Sequence, residues 1–81
     1  MNHLSTNLKR MRTHQCITQA EAARRLGVLR ARYSSWEGSA VEPSIDMMLA
    51  CCTMYRMGVG IMLTKDLAPL TKEDINKLVK P

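Results

Sequence analysis

The sequence contains no phenylalanine, one tryptophan and two tyrosines in 81 residues. Its core must therefore be aliphatic, with seven methionines available to fill irregular gaps. It has no apolar run of about 18 residues, the length that reads as a membrane span. The start, Met1-Asn2-His3-Leu4, lacks a charged lead followed by an apolar stretch, so no secretory leader and no membrane association are expected. Cysteine is scarce and odd in number: Cys16, and the adjacent pair Cys51 and Cys52. Neighbouring cysteines rarely bridge each other, so no disulfide framework is expected and a reducing, cytoplasmic compartment fits best. Acidic residues are nearly missing from one half of the chain. Residues 1–36 hold seven bases against Glu21 alone, a net +6, while residues 37–81 hold five bases and six acids, a net −1. The basic half is a candidate polyanion-binding surface. The length allows one domain with a modest core and is short for a barrel or dinucleotide-binding enzyme.

Periodicity along the chain is helical throughout, with no strand alternation and no internal repeat. Leu4, Leu8 and Met11 share one face of a first helix over residues 4–14, with Cys16 and Ile17 in the turn after it. Thr18-Gln19-Ala20-Glu21 has capping-box form and opens a second helix, which Gly27 ends by accepting a left-handed conformation. A third helix runs from about Arg30 to Glu37, with Tyr33 and Trp36 on its buried side. Ser44 caps a fourth helix reaching about Arg56, with an apolar stripe of Ile45, Met48, Leu49 and Cys52. Gly58 and Gly60 bracket a break before a short fifth helix at residues 61–64. Met47, Met48, Met54, Met57 and Met62 are mainly core, their outer members forming a dimer patch with Val59 and Ile61. Pro69 interrupts a semi-detached tail. Its Leu70-Thr71-Lys72-Glu73-Asp74-Ile75 reads as a capped helix start. The expectation is an all-α chain: a helical domain at residues 1–66 and a tail at 67–81 with a possible short helix.

Two short helices joined by a three-residue turn containing Gly form a helix-turn-helix, here over Thr18–Glu37. In that geometry the second helix enters the DNA major groove and offers its N-terminal residues to base edges. Arg30 and Arg32 stand there, and arginine can donate two bonds to guanine O6 and N7. Gln19 stands at the first turn of the earlier helix, where outward-facing amides receive a phosphate. Lys9, Arg10, Arg24 and Arg25 are further possible phosphate contacts.

These residues carry a resemblance. Thr18-Gln19-Ala20-Glu21-Ala22-Ala23, Leu26-Gly27-Val28, Tyr33-Ser34-Ser35-Trp36-Glu37 and Pro43 together resemble the Xre/Cro/phage-repressor family, over roughly residues 5–66. The resemblance implies a compact five-helix lambda-repressor-like domain that binds operator DNA, commonly as a homodimer. It implies DNA contacts from Thr18, Gln19, Arg30, Ala31, Arg32 and Ser35, and a structural ion pair between Arg12 and Glu37. The chain departs from the pattern at five places, one of them Ala22 where Leu is usual. Leu29 stands where Ser or Thr usually caps, Cys16 and Ser39 stand where Gly is usual, and Ser39-Ala40-Val41-Glu42 offers no base to a phosphate.

The reading that follows is a sequence-specific double-stranded-DNA-binding transcriptional regulator, a repressor acting as a homodimer with its third helix in the major groove. The alternative is a protein-interaction module with a protein partner, such as an antitoxin-like partner or a repressor antagonist. No catalytic constellation is expected. His3, His14 and Cys16 have no metal-ligand spacing, so neither metal nor cofactor is expected.

Overall fold

A computed structural model of the chain describes residues 2–81. Among the described residues six helices follow one another: α1 (Leu4–His14), α2 (Gln19–Leu26), α3 (Arg30–Glu37), α4 (Ile45–Tyr55), α5 (Val59–Thr64) and α6 (Lys72–Leu78). There is no strand among the described residues. The exact helix starts follow from capping. Thr18 accepts a hydrogen bond from the Glu21 amide at 3.1 Å, Ser44 accepts one from Met47 at 3.2 Å, and Thr71 one from Asp74 at 3.1 Å. Each satisfies an amide that has no partner inside its own helix. Only the last is a complete capping box, since the Asp74 carboxylate also accepts from the Thr71 amide at 3.3 Å. Glu21, expected to reciprocate at Thr18, is held instead by Arg24 and Arg25.

The core is built where the aromatic side chains meet α1. Tyr33 and Trp36 are buried, their rings edge-to-face with centroids 5.9 Å apart. The Tyr33 hydroxyl is hydrogen-bonded to that of Tyr55 on α4, so neither buried hydroxyl is left unpaired. Ala22 and Ala23 are buried and small, which lets α2 approach its neighbours closely. Leu8, Met11, Cys51, Met57 and Met62 fill the remaining volume.

A polar side chain, Asn7, lies inside this core. Asn7, fully buried on α1, donates to the carbonyls of Met62 (2.8 Å) and Lys65 (2.6 Å). Its side-chain oxygen accepts from the Leu67 amide at 3.1 Å. The carboxamide thus satisfies the C-terminal end of α5 and the chain that leaves it, which would otherwise bury bare backbone groups at a cost of about 1–3 kcal/mol each.

Three expectations change. On α4 the buried face is Cys51, Cys52 and Tyr55, with Met48 half-buried, while Ile45 and Leu49 are 72% and 44% exposed. The helix is apolar almost all round, so burying the sulfur and tyrosine side leaves a second apolar side outside. The methionines are mainly core as expected: Met57 and Met62 are wholly inside, and Met47, Met48 and Met54 are half-buried against the core. Gly60 does not bracket a break: α5 starts at Val59, with extended Gly58 before it and Gly60 in its first turn. Nor is the tail semi-detached. Leu67 and Ile75 are buried in the common core, Arg10 donates to the Leu70 carbonyl at 3.0 Å, and Lys80 donates its amide to the Arg56 carbonyl at 2.7 Å.

Candidate nucleic-acid interface

The turn between α2 and α3 is closed by backbone bonds that only a left-handed residue permits. Gly27 has φ +73°, the Val28 amide reaches back to the Ala23 carbonyl (3.0 Å), and the Gly27 amide to Arg24 (3.2 Å). A Cβ at Gly27 would meet nothing within 4 Å, so conformation rather than crowding demands glycine. Val28 then packs against the core, which sets the angle at which α3 leaves.

A single carboxylate locks that angle. Glu37, at the end of α3, is 3% exposed in its side chain and accepts from Arg12 Nε at 2.7 Å and Nη2 at 3.1 Å. Arg12 Nη1 also donates to the Ile17 carbonyl at 3.0 Å, in the turn before α2. Gln19 Nε2, from the first turn of α2, donates to Glu37 at 3.1 Å. One acidic group therefore fastens α1, α2 and α3 together. Burial pushes the Glu37 carboxyl up, but hydrogen bonds from Arg12, Tyr33 and Gln19 outweigh it and hold the group below the usual carboxylate range.

The residues marked out by sequence divide into two sets. Arg30 and Ala31 are exposed on the first turn of α3, and Arg30 has no carboxylate partner among the described residues. Arg32 is exposed too, with its guanidinium carbon 5.8 Å from the Trp36 ring centroid, so the ring steadies it from below. Lys9 is exposed on α1. The second set already has partners within the protein. Ser35 is half-buried and donates to the Arg32 carbonyl at 2.6 Å. The Gln19 amide is engaged with Glu37, the Thr18 oxygen with the Glu21 amide, and Arg10 with the Leu70 carbonyl. Arg24 and Arg25 both grip Glu21, at 2.6 and 2.7 Å, and the first of these is the larger reason its carboxyl falls to about 2. The loop after α3 exposes Ser39, Ala40, Val41 and Glu42 and carries no base.

Asn7 and the paired tyrosine hydroxyls were not singled out from sequence. An asparagine three residues after Leu4, on the apolar face of α1, was the available signal for the first. The hydroxyl pair needs the tertiary contact of α3 with α4 and has no local signature.

Two short helices, a left-handed glycine turn, and an exposed basic first turn on the second helix define a helix-turn-helix module of the DNA-binding class. A family model described as a helix-turn-helix domain matches residues 3–60. The chain belongs to that family. Neither the curated proteins nor the solved structures yield a match. The matched span covers α1 to α4 and the first residues of α5, and α6 lies beyond it. Among the described residues no helix is long and apolar enough to cross a membrane.

Proposed function

We propose that the protein is a sequence-specific transcriptional regulator of the Xre/Cro type, a cytoplasmic repressor that binds double-stranded DNA as a homodimer. The observation that carries this reading is the exposed pair Arg30 and Arg32 on the first turn of α3, beside Ala31, in a helix-turn-helix frame locked by Arg12 and Glu37. In the major groove each guanidinium can donate a fork of two bonds to a guanine edge. Ala31 leaves room for close approach, and Lys9 with the rim of α2 supplies sequence-independent attraction to phosphates. Two α3 helices spaced about one turn of DNA apart would read a palindromic site and occlude a promoter. The dimer contact is the outer face of α4, where Ile45 and Leu49 lie one turn apart.

Selection of bound DNA from a random pool tests the reading directly, with a palindromic consensus as the expected product. Arg30→Ala and Arg32→Ala are each expected to lower preference for that consensus by about 1–3 kcal/mol while weaker nonspecific binding persists. Unchanged affinity and salt dependence in the double variant would overturn it. One observation favours a second reading, an antitoxin-like or antagonist module: Val41, Ile45 and Leu49 are exposed near a loop that offers no base to DNA. Failure to bind any duplex at low salt, with stable co-elution of a protein partner, would select it.

A further inference from the structure

Where α6 packs on the helix-turn-helix core it completes a cleft of about 420 Å³. Arg25 from α2, Arg56 from the end of α4 and Lys72 from the start of α6 all line it, and no carboxylate does. Glu21 takes the Arg25 Nε but no other nitrogen of that side chain. The side chains of Arg56 and Lys72 have no ion-pair partner among the described residues. Three cations brought to one concavity repel one another unless an anion lies between them. The cleft wall is fastened by His14, whose Nε2 lies 2.9 Å from Asn76 Oδ1, joining α1 to α6.

The backbone at Arg56 makes a clean substitution available. The residue caps α4 in the left-handed conformation, φ +55°, where glycine is the residue without steric cost. Glycine can therefore replace Arg56 without backbone strain. Met54 and Val79 also line the cleft, giving it an apolar part beside the cationic one. None of Arg30, Ala31, Arg32 and Ser35 reaches it, so it is distinct from the face of α3.

We propose that this cleft binds a small phosphate-bearing ligand, its phosphate held by Arg56, Lys72 and the terminal nitrogens of Arg25, and its organic part laid on Met54 and Val79. Arginine forks match phosphate oxygens two at a time, and a dianion suits three cations without a lining acid. The site depends on α6, so it is a property of this chain's extension beyond the family segment.

The test is an amide-resolved NMR titration of the full chain with adenosine 5′-monophosphate, inorganic phosphate and adenosine. The monophosphate is expected to shift amides around Gln15, Arg56 and Asn76 in a saturable way, and adenosine to bind about tenfold more weakly or worse. Tighter binding of the ester than of inorganic phosphate assigns an organic phosphate, and the reverse order assigns free phosphate. Arg56→Gly separates binding from folding. It relieves the left-handed strain, so the melting temperature is expected to hold or rise while phosphate binding weakens about tenfold. Lys72→Gln, an exposed change, is expected to weaken binding similarly. Absence of saturable shifts, equal binding of adenosine, or full binding by both variants would overturn the proposal. So would the same amides moving on addition of a random duplex but not of the monophosphate, which assigns the cleft to the DNA backbone.

Discussion

Glu37 tolerates near-complete burial because Arg12 supplies two donors to it and Gln19 a third. Such a pair contributes little net stability compared with apolar residues of the same shape, but removing one partner strands a buried charge at a cost of about 3–5 kcal/mol. The pH dependence has a definite sign. The folded carboxyl titrates below its ordinary value, so its contribution is complete above the unfolded carboxylate range and is lost as pH falls through the folded value. Urea midpoints measured between about pH 7 and about pH 3 should fall toward acid in the native chain. In Glu37→Gln that fall should be shallower, starting from a lower plateau. Equal slopes in the two proteins would show that Glu37 is not a source of the acid sensitivity. Cys16 and Ser39, at positions where the family resemblance expects glycine, have φ of +59° and +62°. The turns keep their left-handed shape without glycine, at a cost of about 1–2 kcal/mol each.

Helix α3 starts without a side-chain cap. Leu29 occupies its N-cap with φ −70° and ψ 146°; its carbonyl accepts from the Arg32 and Tyr33 amides, but its side chain caps nothing and the residue is 79% exposed. The backbone is already in the cap conformation, so Leu29→Ser needs no rearrangement to satisfy one free amide. It is expected to stabilise the fold by about 1 kcal/mol, raising the melting temperature by about 4–8 °C in calorimetry. A fall in melting temperature would mean that Leu29 packs in a way its exposure does not indicate. Caps at Thr18, Ser44 and Thr71 were legible in the sequence because a cap is a local event of four residues. The exposed side of α4 was not, because Ile45, Leu49, Cys51, Cys52 and Tyr55 are all apolar and periodicity cannot choose among them. The basic residues divide in the same way. The exposure of Arg30 and Arg32 follows from the helix register of Tyr33 and Trp36, whereas the capture of Arg10 by the Leu70 carbonyl depends on a contact 60 residues distant.

For the molecule as a whole, the +6 of residues 1–36 overstates the charge available at the proposed DNA face. Arg12 is paired inside, and Glu21 is shared by Arg24 and Arg25. Attraction to DNA must then come largely from α3 and Lys9, and a modest salt dependence is expected. The proposed dimer is open to a test that leaves folding alone. Ile45→Lys with Leu49→Lys places two charges on the exposed side of α4. Sedimentation should change from dimer to monomer with little loss of thermal stability, and operator binding should weaken with it. A dimer that survives both changes lies elsewhere. The Asn7 carboxamide also bears on the order of assembly during synthesis. The helix-turn-helix pair closes through bonds a few residues apart, such as Val28 to Ala23. The Asn7 carboxamide, by contrast, finds its acceptors 55 and 58 positions later and its donor 60 later. A nascent chain can therefore coil α2 and α3 early, yet α1 cannot take its final seat until residue 67 has left the ribosome.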